Sequence, residues 1–217
     1  RCVTVKDYYA KIFEIPPQYG IPFRFTVTEE NNKIIVYTLG LDYLGKLSSP
    51  LSETVGNNIK EYLKNYKMVN DFVEIRSGRI VNIGFEVDIF VYNSYDKSEV
   101  SKRVIDLIVD YMDVRKHQMG EDIFLGDLEK EISKLDGVQN LIELRCYNNV
   151  GDGYSDTPIT QSLITNNECY SANLDNIEDA GNLIDLRLSD KVLYGELGVM
   201  YEIKYPNNDV VVNVKTR

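Results

Sequence analysis

Residues 99–148 read EVSKRVIDLIVDYMDVRKHQMGEDIFLGDLEKEISKLDGVQNLIELRCYN. Val100, Val104, Leu107, Ile108 and Tyr111 recur at steps of three and four, which predicts an amphipathic helix over residues 98–117. Gly120 is expected to stop it. Residues 122–125 form a short extended link. Gly126 then serves as N-cap of a second helix whose apolar stripe is Leu128, Ile132 and Leu135. Gly137 falls where a helix end needs a left-handed residue. Val138, Ile142, Leu144 and Cys146 alternate with Glu143, Arg145 and Tyr147, the period of a strand.

Just upstream, residues 80–92 alternate more strictly. Ile83, Phe85, Val87, Ile89 and Val91 point one way, while Asn82, Glu86 and Asp88 point the other and are expected to form a wetter face. Strand, helix, helix and strand together predict a sheet covered by helices on one side.

Working back to the N-terminus, Thr4-Val5-Lys6-Asp7 has the form of a capping box opening a helix over residues 5–14, which Pro16-Pro17 ends. Phe23, Phe25 and Val27 alternate with Arg24, Thr26 and Thr28. Residues 29–32 make a polar turn, and residues 34–39 return as a central strand, predicting a hairpin. Ser49-Pro50 reads as N-cap and first helical residue. Leu51, Val55, Ile59, Tyr62, Leu63 and Tyr66 supply the helix's stripe, and a strand follows at 72–76.

Working forward, residues 148–176 are rich in Asn, Asp, Gly, Ser and Thr with little periodicity, which predicts an irregular arm. Residues 176–187 are expected to hold one short helix or turn. Val199, Tyr201, Ile203 and Tyr205 alternate, Pro206-Asn207-Asn208-Asp209 turns, and Val210, Val212 and Val214 alternate back, which predicts a C-terminal β-hairpin. The expected fold class is α+β: a mixed or antiparallel sheet packed with helices over residues 1–148, then an arm and hairpin over 149–217.

The chain has 217 residues and a net charge of −10, a balance that argues against a nucleic-acid binder. No apolar run approaches the ~20 residues that a membrane-spanning helix needs. The first residues are Arg1-Cys2 rather than Met, so the sequence is expected to be a fragment. Cys2, Cys146 and Cys169 lie far apart, a pattern expected of reduced thiols in a chain folded in a cytoplasm. Cys146 falls on the strand pattern and is read as a buried thiol.

No catalytic, cofactor-binding or metal-binding residues emerge. The single histidine, His117, is read as a cation near a helix C-terminus. The run Asp152-Gly153-Tyr154-Ser155-Asp156 lacks full calcium-loop spacing and is expected to be a solvated turn. Gly151-x-Gly153 lacks the Lys-Ser/Thr pair of a phosphate loop. There are 16 tyrosines and no tryptophan. Tyr8, Tyr9, Tyr19, Tyr43, Tyr92, Tyr95, Tyr147, Tyr154, Tyr170, Tyr194, Tyr201 and Tyr205 exceed what a core can take, and some are expected at interfaces.

Two groups of residues carry a family resemblance. Arg1-Cys2-Val3-Thr4-Val5-Lys6-Asp7-Tyr8 is similar to an R-x-V-T-x-x-D-Y opening. Gly120, Ile123-x-x-Gly126-Asp127-Leu128, Ile132 and Asp136-Gly137-Val138 follow a Gly, short strand, capped helix, Gly-Val, strand order. Both resemble the baseplate J-like family, the wedge subunits of contractile phage tails (T4-type wedge proteins among them) and related injection machines. The family often has Ser where this chain has Gly126. Residues 149–217 resemble the extra C-terminal elements of T4-type wedge proteins. The resemblance implies a structural protein of the virion's tail baseplate, assembled in the host cytoplasm. Its partners would be itself, as a dimer or higher oligomer, and sibling wedge proteins, with no cofactor and no enzymatic role. The alternative reading is a small acidic ligand-binding or enzymatic α+β domain with a site near residues 147–156.

Overall fold

The computed structural model describes residues 1–151, 153–157, 182–184 (backbone only) and 191–215. It divides into two compact units. The first comprises Arg1–Ile80, Gln118–Gly120 and Glu196–Met200; the second comprises Val81–His117, Glu121–Gly195 and Tyr201–Arg217.

The first unit is a four-stranded sheet with helices on one face. Helix α1 (Val5–Phe13) opens with the expected capping box: the Thr4 side chain accepts from the Asp7 N–H, and the Asp7 carboxylate accepts from the Thr4 and Val3 N–H groups at 2.8 and 2.9 Å. Strands β1 (Arg24–Glu30) and β2 (Lys33–Leu41) form the expected hairpin, closed by Asn31 and Asn32, both at positive φ. Two consecutive left-handed residues match the twist of the strands they join, so the turn takes two residues rather than four. Strand β3 (Leu47–Ser48) pairs with the end of β2. Helix α2 (Glu53–Lys64) starts three residues later than the Ser49-Pro50 signal suggested. Ser49 instead donates its hydroxyl to the Gly78 carbonyl at 2.8 Å and caps no helix. Strand β4 (Phe72–Ser77) runs parallel to β2, on the side away from β1, so β2 is central as expected. Tyr8, Ile12, Val27, Ile34, Val36, Ile59 and Leu63 make the core between helices and sheet.

The second unit is built on β5 (Arg79–Val91), paired antiparallel with β7 (Val138–Asn149). Helix α3 (Lys97–Tyr111) is capped by Asp96 and ends six residues short of expectation. The Asp113 carboxylate accepts from the Arg115 N–H at 2.9 Å, a local turn that competes with further helix. Gly120 lies beyond that end and does not terminate α3. Strand β6 (Ile123–Phe124) leads directly into helix α4 (Leu125–Lys134), so Gly126 is the second helical residue rather than the N-cap. Gly137 has φ +99, and a Cβ there would lie 2.6 Å from Val100 Cγ2. Val100, Val104, Ile108, Leu128 and Ile132 are buried with Phe85, Val87 and Ile89. Ile142 is exposed because the β5–β7 register skips it, pairing Asp88 with Glu143 and Ile89 with Leu141. That bulge turns Ile142 out of the alternation.

The remaining strands are β8 (Asn182–Ile184), β9 (Val192–Leu193), β10 (Val199–Glu202) and β11 (Val210–Lys215), with a helical turn α5 (Pro206–Asp209) before β11. β8 pairs antiparallel with β7, where a helix or turn was expected. β9 pairs with β6. The fold class is α+β with C-terminal strands, but β10 and β11 are not laid against each other. Both lie on β5, and β11 runs parallel to it. The Asp209 carboxylate accepts from the Tyr205 N–H at 2.7 Å and closes a helical turn, which redirects the chain instead of folding it back as a hairpin. The arm expected over residues 148–176 lies outside the described residues beyond 157, apart from its first part.

Candidate functional site

The second unit concentrates polar side chains on the sheet face opposite α3 and α4. Across β7, β5 and β11 runs a ladder of charge. Arg145 reaches Glu86 and Asp88, both at 3.2 Å. Asn213 donates to Glu86 at 2.8 Å and to Asp88 at 3.0 Å. Lys215 lies 2.7 Å from Asp88, and Tyr147 donates its hydroxyl to Glu86 at 2.8 Å. This face is therefore not simply wet: Asp88 and Asn82 are buried.

The electrostatics follow from these partners. The Lys215 hydrogen bond, against the opposing effect of burial and helped by Asn213 and the Arg145 charge, holds the Asp88 carboxyl below its ordinary value. Burial first, and then the bond to Glu86, push the Tyr147 phenol up to about 12. General acid–base work favours groups that titrate near the operating pH. Both of these shifts lead away from neutrality.

Beside the ladder lies a second polar knot. Asn82 donates to Glu202 at 3.3 Å, and Asn148 donates to the Asn82 carbonyl at 3.0 Å. The segment expected to be a solvated turn is docked here: the Ser155 N–H bonds the Asn82 side-chain oxygen at 2.7 Å, and Tyr154 donates to Asp209 at 2.5 Å. Asn149 donates to the same Asp209 oxygen at 3.2 Å, and Lys204 donates to the Gly153 carbonyl at 2.5 Å. Burial, then the Asp209 bond, raise the Tyr154 pKa. Residues 147–156 are thus tied down by hydrogen bonds at Tyr147, Asn148, Asn149, Gly153, Tyr154 and Ser155 to Glu86, Asn82, Asp209 and Lys204. Asp152 lies outside the described residues. Among the described residues, no group of three His, Cys, Asp or Glu is placed to hold a metal ion.

His117 does meet the end of α3, though from beyond it. Its Nε2 lies 2.8 Å from the carbonyl of Tyr111, the last residue of that helix. Cys2 and Cys146 are buried thiols, and burial raises the pKa of each. Cys169 lies outside the described residues.

The tyrosines divide sharply. Tyr8 is fully buried and donates to Asp71, and Tyr201 is buried too. Tyr43 is 94% exposed, and Tyr9, Tyr92, Tyr95, Tyr194 and Tyr205 are exposed to a lesser degree. Tyr170 lies outside the described residues. The most exposed of the other large apolar residues, Val69, Phe13 and Phe72, belong to the first unit, and Phe124 of the second is about half exposed. The helical wheel carried the signal for one of them. Phe13 stands four residues from Tyr9, so both occupy one flank of α1 beside the buried Tyr8–Ile12 stripe. The Tyr9 ring rests on Phe25 of β1, 4.7 Å between centroids.

No family model matches this chain, and no curated protein does. Among solved structures it is similar to the baseplate of the anti-feeding prophage, determined by cryo-EM. The identity is 14% and the TM-score 0.49, over 68% of this chain and 34% of that one. The chain therefore spans about a third of the length of that relative.

Proposed function

We propose that the chain is a structural subunit of a contractile-tail baseplate wedge, of a phage or a related injection machine. It works by self-association and by binding sibling wedge proteins, without catalysis or cofactor. The observation that carries this reading is the placement of the residues in the resemblance. Thr4 and Asp7 form a capping box, Tyr8 is buried against Asp71, and Ile123, Leu128, Ile132 and Val138 are buried. Every one of them has a structural task, as a scaffold family's signature requires. Exposed Phe13, Tyr43, Val69 and Phe72 supply apolar surface of the kind that marks contact with other proteins.

The test is co-expression of the full chain with the proteins encoded beside it, followed by affinity purification. Recovery of a defined complex with tail-baseplate siblings is the expected result. Failure to bind any of them, in a chain that remains folded, would remove the proposal.

A further inference from the structure

We infer that β1 is the seam of a two-fold dimer, in which two copies of the chain pair their β1 strands antiparallel about Val27. The inference deepens the self-association just proposed and rests on that reading.

β2 lies between β1 and β4, and among the described strands β1 pairs with β2 alone. The two-residue turn fixes which backbone groups face outward. Glu30 and Lys33 close the hairpin as a hydrogen-bonded pair, so Thr28, Thr26 and Arg24 also direct their N–H and C=O groups to β2. The far side of β2 obeys the same parity, since the Thr38 carbonyl accepts there from the Gly78 N–H at 2.8 Å. Phe25, Val27 and Glu29 therefore direct their backbone groups away from β2. Among the described residues, these three make no backbone hydrogen bond beyond the hairpin itself. Such an open edge is a template for another strand.

The strand's own sequence, Arg-Phe-Thr-Val-Thr-Glu-Glu, names that strand. Folded on a dyad at Val27, it sets Arg24 opposite the partner's Glu30, Thr26 opposite the partner's Thr28, and Val27 opposite itself. Opposite charges and Thr–Thr pairs are the favourable cross-strand pairs. The outward groups of Phe25, Val27 and Glu29 then supply six N–H···O=C bonds, two at each of three residue pairs. Arg24 and Glu30 lie on the sheet face away from α1, where Arg76 already stands 3.2 Å from Glu30. On the helix-bearing face, the dyad brings the two α1 helices to the same side of the joined sheets. Their exposed flanks, Tyr9 and Phe13, lie beside the seam through the Tyr9–Phe25 contact. The contact is isologous and closes on itself.

The test uses the full chain in two cysteine variants, Thr26→Cys and Thr28→Cys. Under mild oxidation the mixture is expected to form a disulfide-linked dimer about tenfold faster than either variant alone, because only 26-to-28 pairs face each other. Arg24→Glu sets like charges opposite and is expected to weaken dimerisation about tenfold, with recovery when Glu30→Arg is added. A wild-type chain that stays monomeric at every concentration would overturn both the seam and self-association. A chain that dimerises without the mixed crosslink, and is indifferent to Arg24→Glu, would overturn the seam alone.

Discussion

Each unit places an arginine between two carboxylates on the outer face of a sheet. In the first, Arg76 reaches Glu74 at 2.8 Å and Glu30 at 3.2 Å, and all three side chains remain well exposed, Glu74 at 39%. In the second, Arg145 reaches Glu86 and Asp88 at 3.2 Å each, but the Asp88 side chain is 5% exposed. The motif is the same and the energetics are not. An exposed triad in high dielectric contributes little. A covered one leaves an uncompensated charge when one member is lost. The covering comes from β11, whose Asn213 and Lys215 lie across Asp88.

The two triads are expected to differ most at the buried carboxylate. Asp88→Ala is expected to lower unfolding stability by about 3 kcal/mol, read from denaturant midpoints, because Lys215 and Arg145 lose their shared partner. Glu74→Ala should leave the midpoint unmoved. If both behave alike, the contrast between the units is wrong. The pH dependence sharpens it. The folded pKa of Asp88 lies below the unfolded value of about 3.9, so its contribution is complete above that value and fades as pH falls through the folded pKa. The difference between wild type and Asp88→Asn should therefore shrink on acidification below about pH 4.

Smaller effects separate the glycines and the cap. Gly137→Ala is expected to destabilise by about 2 kcal/mol, since its φ is positive and Val100 stands where the methyl would go. Thr4→Ala, which removes half of the capping box, should lower stability by about 1 kcal/mol in thermal melts. Gly126→Ala should have the opposite sign and raise stability by about 0.5 kcal/mol, because the site is helical and its Cβ meets nothing within 4 Å. A loss at Gly126 would restore its reading as an N-cap.

Local signals were legible in the sequence where one interaction decides the outcome. Thr4 and Asp7 found each other, Asn31-Asn32 turned the hairpin, and the stripes on α2, α3 and α4 faced their sheets. What was not legible depends on partners distant in sequence. Ser49 is drawn to the Gly78 carbonyl, 29 residues away. β11 looked like half of a hairpin because alternation states that a strand exists and not which strand receives it. Glu86 and Asp88 read as wet because Asn213 and Lys215, their covers, arrive some 125 residues later. Residues 147–156 drew attention only as the place of a site in the alternative reading and, over 152–156, as a solvated turn. Their hydrogen bonds could not be read, since the partners, Asp209 and Asn82, lie far away in sequence.

The proposed role makes this chain a part that works by assembly. Light scattering of the full chain over a broad concentration series, alone and with the proteins encoded beside it, tests this role. The expected result is a mass that rises above the 24.9 kDa of one chain as concentration increases, and a discrete complex when those proteins are added. A mass fixed at that of one chain throughout, with no complex formed, would contradict it.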